Sequence, residues 1–192
     1  MKKVILFTVL TLISIVGICQ TKLDSVLFYK VNEYRHSMGL VELTWDTCGY
    51  KAVDHHTLYL IQNNYNSPSV YLKAVKEAGK GTSTVVIPGF HDPHGEPNDT
   101  FARPTTRYKY YGGKVSVGEV ISGTNTNIRD EDSTVYEKIA IGILNSWKNS
   151  PLHNKILLDK EAHQGACSVG TVIMSQMKGW KTYFMTSTFV II

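Results

Sequence analysis

The C-terminal third of the chain places the tightest constraint on its fold. Two stretches rich in branched and aromatic residues, Cys167 to Ser175 and Trp180 to Ile192, flank Lys178-Gly179, which is the pattern of a β-hairpin. In the second stretch Tyr183, Met185, Ser187, Phe189 and Ile191 fall on one face, and Thr182, Phe184, Thr186, Thr188 and Val190 on the other. Both faces therefore call for at least partial cover. Amphipathic helices can supply it. Leu23, Val26, Leu27, Val31 and Tyr34 recur at helical spacing between Leu23 and His36, and Gly39 follows as a stop. A second helix is expected from Asp46 or Thr47 to about Gln62, ahead of Asn63-Asn64 and Pro68. A third, from Asp130 to Asn149, carries Val135, Ile139, Ile143 and Trp147 on one stripe, with Asp132 and Ser133 as cap candidates. The pattern is α+β, with helices packed on a small antiparallel sheet.

The first residues belong to a different category. Met1-Lys2-Lys3 precedes an apolar run from Val4 to Cys19, which is how a secretory signal peptide reads. The run is shorter than the roughly 20 residues a membrane-spanning helix needs, and no basic residue follows it directly. Cleavage near Cys19/Gln20 is expected, giving a secreted or periplasmic chain in which residues 20–192 form a single domain. The alternative is a lipid anchor through Cys19, although Ile18 stands where a lipoprotein signal usually has a small residue. Without Lys2 and Lys3 the charge tally falls to 18 basic against 16 acidic residues. That balance, with its basic residues dispersed, excludes a nucleic-acid footprint. Cys48 and Cys167 remain, and in an oxidising compartment they could close a disulfide or stay as two separately buried thiols.

Between Ser67 and Asn127 glycine, proline, threonine and asparagine become frequent. Ordered loops are expected to dominate there, with a short helix at Ser69 to Ala78 and a loop-rich insertion around residues 64–90. The residues able to bind metal or move protons are His55, His56, His91, His94, Glu119, His153 and His163. His55 and His56 point to different sides of their helix, and His55 reads as a helix histidine facing the sheet with one nitrogen bonded. No HExxH, GxSxG, P-loop or CxxC is present, which removes several enzyme classes legible from sequence. Tyr108, Tyr110 and Tyr111 form a cluster that is either a contact patch or a cover for the insertion.

The order of shorter motifs is more specific. Asn32-Glu33-Tyr34-Arg35, Gly39-Leu40, Leu43-Thr44-Trp45-Asp46 and Ala52-Val53-Asp54-His55 resemble the opening of the CAP superfamily, or SCP domain. Phe90-His91 with Gly95 and Arg107, and then Gly118-Glu119-Val120-Ile121, are similar to its middle motifs. Trp147 to Leu157 resembles the W-x-x-S-P-G-H-x-x-I-L of bacterial members. The resemblance implies an α-β-α sandwich, a central antiparallel sheet flanked by helices, with a large surface cleft. It also implies a cleft built on two histidines and two glutamates able to take zinc or another divalent metal. Carried over, the first histidine is His91, the first glutamate Glu119 and the second histidine His153, while Gly142 stands at the second glutamate and Val120 replaces the asparagine of G-E-N. His91, Glu119 and His153 are thus read either as a polar cluster that closes the cleft or as an incomplete metal site.

Two functions follow. The favoured one is a secreted, non-catalytic binding module, expected as a monomer, that takes a lipid, peptide or glycan in the cleft, with zinc or another divalent metal as an optional occupant. The alternative is a zinc-dependent hydrolase using His91, Glu119 and His153. Mass spectrometry of the exported protein is expected to find Gln20 at or near the N-terminus. A chain still carrying Met1 to Cys19, or a diacylated Cys19, would count against that cleavage.

Overall fold

The computed structural model describes residues 20–62, 99–129, 132–177 and 179–192. In chain order these form α1 (Lys22–Ser37), β1 (Thr44–Trp45), α2 (Thr47–Gln62), α3 (Asp99–Ala102), α4 (Pro104–Tyr110), β2 (Gly118–Arg129), α5 (Val135–Lys148), α6 (Pro151–Leu157), β3 (Gln164–Met177) and β4 (Trp180–Ile191). The start of α1 is a capping box. The Thr21 hydroxyl accepts from the Asp24 N–H at 3.1 Å, and the Asp24 carboxylate accepts from the Thr21 N–H at 2.8 Å. Its end is marked by Gly39 at φ +74°, a conformation that costs glycine little. The helix α5 starts later than its pattern suggests, because Asp132 accepts from the Thr134 N–H and hydroxyl and so forms a turn ahead of Val135.

Among the described residues four strands make the sheet, in the order β1-β3-β4-β2. The β3–β4 hairpin turns at Gly179, which has φ +80°, and β2 runs antiparallel to β4 along its whole length, from Gly118 opposite Ile191 to Arg129 opposite Trp180. The short edge strand β1 departs from the antiparallel pattern. It joins β3 in parallel, Thr44 beside Gln164 and Trp45 beside Gly165.

The middle of the chain corrects the loop expectation. Helices α3 and α4 and the 12-residue β2 occupy residues read as loop from composition. The β2 sequence, GEVISGTNTNIR, has a weak strand signature, and its ladder with β4 stabilises what local propensity does not. The expected helix at Ser69 to Ala78 and the insertion around 64–90 lie outside the described residues.

Among the described residues, side-chain alternation along the sheet feeds a core on each face. On one face Val120, Cys167, Met185, Phe189 and Ile191 pack against Leu23, Leu27 and Val31 of α1 and Ile139, Ile143 and Trp147 of α5. On the other, Ala166 and Val190 meet Tyr50 and Val53 of α2. Polar groups extend this second interface: Thr57 donates to the Thr188 hydroxyl at 3.0 Å, and Ser168 donates to Asp54 at 3.0 Å. A Cβ at Gly170 would lie 2.1 Å from the Ile61 side chain, so the glycine lets α2 approach β3 closely. The result is an α-β-α sandwich in which both faces of the hairpin are covered.

Trp147 has no exposed surface and packs on Phe189 with ring centroids 5.8 Å apart. Trp147→Ala is expected to destabilise the protein by about 3–5 kcal/mol. Chemical denaturation gives the value, and a midpoint unchanged from the parent would remove Trp147 from the core.

Candidate functional site

The residues of the Asn32-Glu33-Tyr34-Arg35 stretch join α1 to distant loops. The Asn32 amide donates to the Leu43 carbonyl and accepts from the Leu43 N–H, each at 2.9 Å, closing the outer edge of the chain as it enters β1. Tyr34 donates to the Asn154 side chain at 2.9 Å. Arg35, fully buried, donates to the carbonyls of Leu157 at 2.7 Å, Asp159 at 3.0 Å, Val41 at 3.1 Å and Ala162 at 3.2 Å. The two stretches that stood out in the sequence, Asn32 to Arg35 and Trp147 to Leu157, are therefore in direct contact.

Glu119 enters the site from β2. Its carboxylate forms an ion pair with Arg107 of α4, whose other terminal nitrogen donates to the Phe101 carbonyl at 2.6 Å. The pair is almost wholly enclosed, with 1% of the Arg107 side chain and 7% of the Glu119 side chain exposed. Strand alternation sends Glu119 toward the α2 and α4 layer. Its neighbour Gly118 faces the other way, where a Cβ would lie 3.1 Å from Ile156 of α6 and 3.2 Å from Ile191. His153 belongs to that same α6 and is half-buried. The structure thus brings Arg107 to Glu119, while α6, the helix of His153, meets the opposite face of β2. His91 and His94 lie outside the described residues. Gly142 sits on α5 with open space where a side chain would project.

Of the three expected donors, the structure describes Glu119 and His153. A divalent cation at Glu119 would compete with a guanidinium already seated on that carboxylate. Among the described residues no three His, Cys, Asp or Glu side chains gather where they could hold an ion.

The remaining candidates have clear neighbours. His55 turns away from the sheet, correcting the expectation: its Nδ1 pairs with the Tyr111 hydroxyl at 2.9 Å, and its ring stacks on Phe101 at 4.3 Å. His56 is buried and lies nearly parallel to Tyr59. The His163 side chain is exposed, while its backbone joins the β1 and C-terminal segments. Cys48 and Cys167 are both free thiols, so the disulfide alternative does not hold. The reason is topological. Cys167 points into the α1 and α5 core, where it donates to the Asp24 carbonyl at 3.2 Å, whereas Cys48 lies on α2 beyond the sheet, near Gly112. Burial, with the charge of Asp24 nearby, pushes the Cys167 thiol up and leaves it unreactive. The Asp24 carboxyl is itself raised by burial, against the lowering effect of its bonds from Thr21 and from the Val169 N–H at 2.8 Å.

Comparison with known proteins adds the family. A model described as CAP, the cysteine-rich secretory protein family, matches residues 28–186. The chain belongs to the CAP family. The solved structure of an outer surface protein from Borrelia burgdorferi is similar at 16% sequence identity, covering 90% of this chain and 94% of that one with a TM-score of 0.44. No curated protein sequence matches. Within this CAP domain, sequence reasoning placed Arg107 in a family motif without giving it a role, and it missed Phe101. The signal in the sequence was an arginine in the family motif upstream of the Gly118-Glu119 pair, and its partner is set by how α4 docks.

Removing the cation should strand a buried carboxylate. Arg107→Ala is expected to cost about 3–5 kcal/mol, with part of the loss recovered when Glu119→Gln is added. A double-mutant cycle by urea unfolding checks this, and strictly additive losses would show that the pair does not interact.

Proposed function

We propose that this CAP protein is exported and works by binding, without covalent chemistry, as a monomer that takes a lipid, peptide or glycan against its polar cleft. The observation that carries this reading is the Arg107–Glu119 pair. Glu119 stands at the family's first carboxylate position, and here it is spent on a permanently charged guanidinium. A metal at this carboxylate would have to displace the guanidinium, and that leaves an uncompensated charge in the interior. Gly142 at the second carboxylate position supports the same reading, since glycine brings no ligand. His91 and His153 then serve as polar lining. Export is supported by the charged start and apolar run of residues 1–19, with a lipid anchor at Cys19 as the alternative. Among the described residues no helix is long and apolar enough to cross a membrane.

The competing reading is the zinc-dependent hydrolase using His91, Glu119 and His153. Metal analysis of the purified protein after incubation with zinc and gel filtration separates the two. Substoichiometric zinc, unchanged by His153→Ala, is expected. Stoichiometric zinc lost in both His153→Ala and Glu119→Gln, together with ester or peptide hydrolysis, would overturn the binding reading.

A further inference from the structure

Four aromatic rings meet where α2, α3 and α4 come together. His55 stacks on Phe101 with centroids 4.3 Å apart and planes 13° apart. Phe101 meets Tyr110 edge-on at 4.8 Å, and Tyr110 meets Tyr111 at 5.1 Å with planes at 90°. The turn after α4 decides which tyrosine faces outward. Tyr108 is driven inside, and its ring lies 2.1 Å from where a Cβ at Gly113 would sit, while Gly112 at φ +102° turns the chain. Tyr110 is left 61% exposed yet braced by Phe101 and Tyr111. An exposed ring fixed in this way loses little freedom when something stacks on it.

The short stretch of chain that carries this ring is rich in basic residues. Between Asp99 and Val117 the chain carries Arg103, Arg107, Lys109 and Lys114 against Asp99 as the sole acid. Arg107 is consumed by Glu119, whereas Arg103, Lys109 and Lys114 are exposed.

We propose that this surface is a binding platform for a polyanionic glycan, with a sugar ring lying on Tyr110 and its carboxylate or sulfate groups met by Lys109, Arg103 and Lys114. Stacking on an aromatic face supplies an apolar contact for the C–H side of a pyranose. The flanking cations select an acidic chain over a neutral one. A single ring offers no succession of platforms for the bases of a nucleic acid, and one braced tyrosine offers little that could insert into a lipid surface. None of these residues belongs to the His91, Glu119 and His153 set, so the platform stands whether or not the cleft takes a metal.

Isothermal titration of the purified protein with a heparin hexasaccharide at about 0.15 M salt, a level at which distant charges are largely screened, tests the proposal. Binding is expected to weaken about tenfold or more in Tyr110→Ala and in Lys109→Glu, to persist in Tyr110→Phe, and to be absent with neutral isomaltohexaose. Both altered side chains are exposed, so an unchanged melting temperature is expected and confirms an intact fold. Any of four results would overturn the platform: no binding by the parent, unchanged affinity in Tyr110→Ala, equal affinity for isomaltohexaose, or tight binding to phosphatidylglycerol vesicles that the hexasaccharide does not displace.

Discussion

The Arg35 guanidinium, at the closed end of α1, holds together parts of the chain that are far apart in sequence. Four main-chain carbonyls, from Val41, Leu157, Asp159 and Ala162, converge on it. Those carbonyls belong to the approach to β1 and to the passage from α6 into β3, where no regular ladder could satisfy them. A buried carbonyl left without a donor costs about 1–3 kcal/mol, so one planar, multiply donating cation offsets several such costs at once. A lysine would present its donors from a single point and could not span the same set. With this junction in place, β3 starts in register beside β1, and the hairpin that follows is positioned between the helical layers.

A second guanidinium does comparable work on the opposite face. Arg107 binds the Phe101 carbonyl and the Glu119 carboxylate, so that α3, α4 and β2 are locked together by one side chain. This is an expensive arrangement in isolation, because two charges leave water to form it. Its value is positional: it fixes α4 against the sheet, and α4 in turn carries the tyrosines that divide between interior and surface. The same carboxylate that the family resemblance marks as a site residue thus acts here as the anchor that holds α4 to β2.

Much of this was legible in the sequence wherever the signal was local. The stripes of α1 and α5 and the alternation of β4 follow from periodicity, since a side chain's burial there depends on neighbours three or four residues away, or two along a strand. β2 was not legible. Its threonines, asparagines and glycines carry a weak strand preference, and only the length of β4 lying beside it makes them a strand. His55 was misdirected for a similar reason: helical geometry says which histidine of an adjacent pair shares a face with which neighbours, but not whether that face meets the sheet or α3.

The sequence by itself determined the layered α+β architecture and the order of its family motifs, because hydrophobic period and turn chemistry act over a few residues. Only the tertiary structure decided that Cys48 and Cys167 lie on opposite sides of the sheet and stay apart. Only it decided that Tyr34 reaches Asn154, that Arg35 gathers its carbonyls, and that Glu119 is claimed by Arg107. Each of these depends on which face of a strand or helix meets which loop, and loop closure over such distances costs too little entropy per added residue for spacing alone to select the partner.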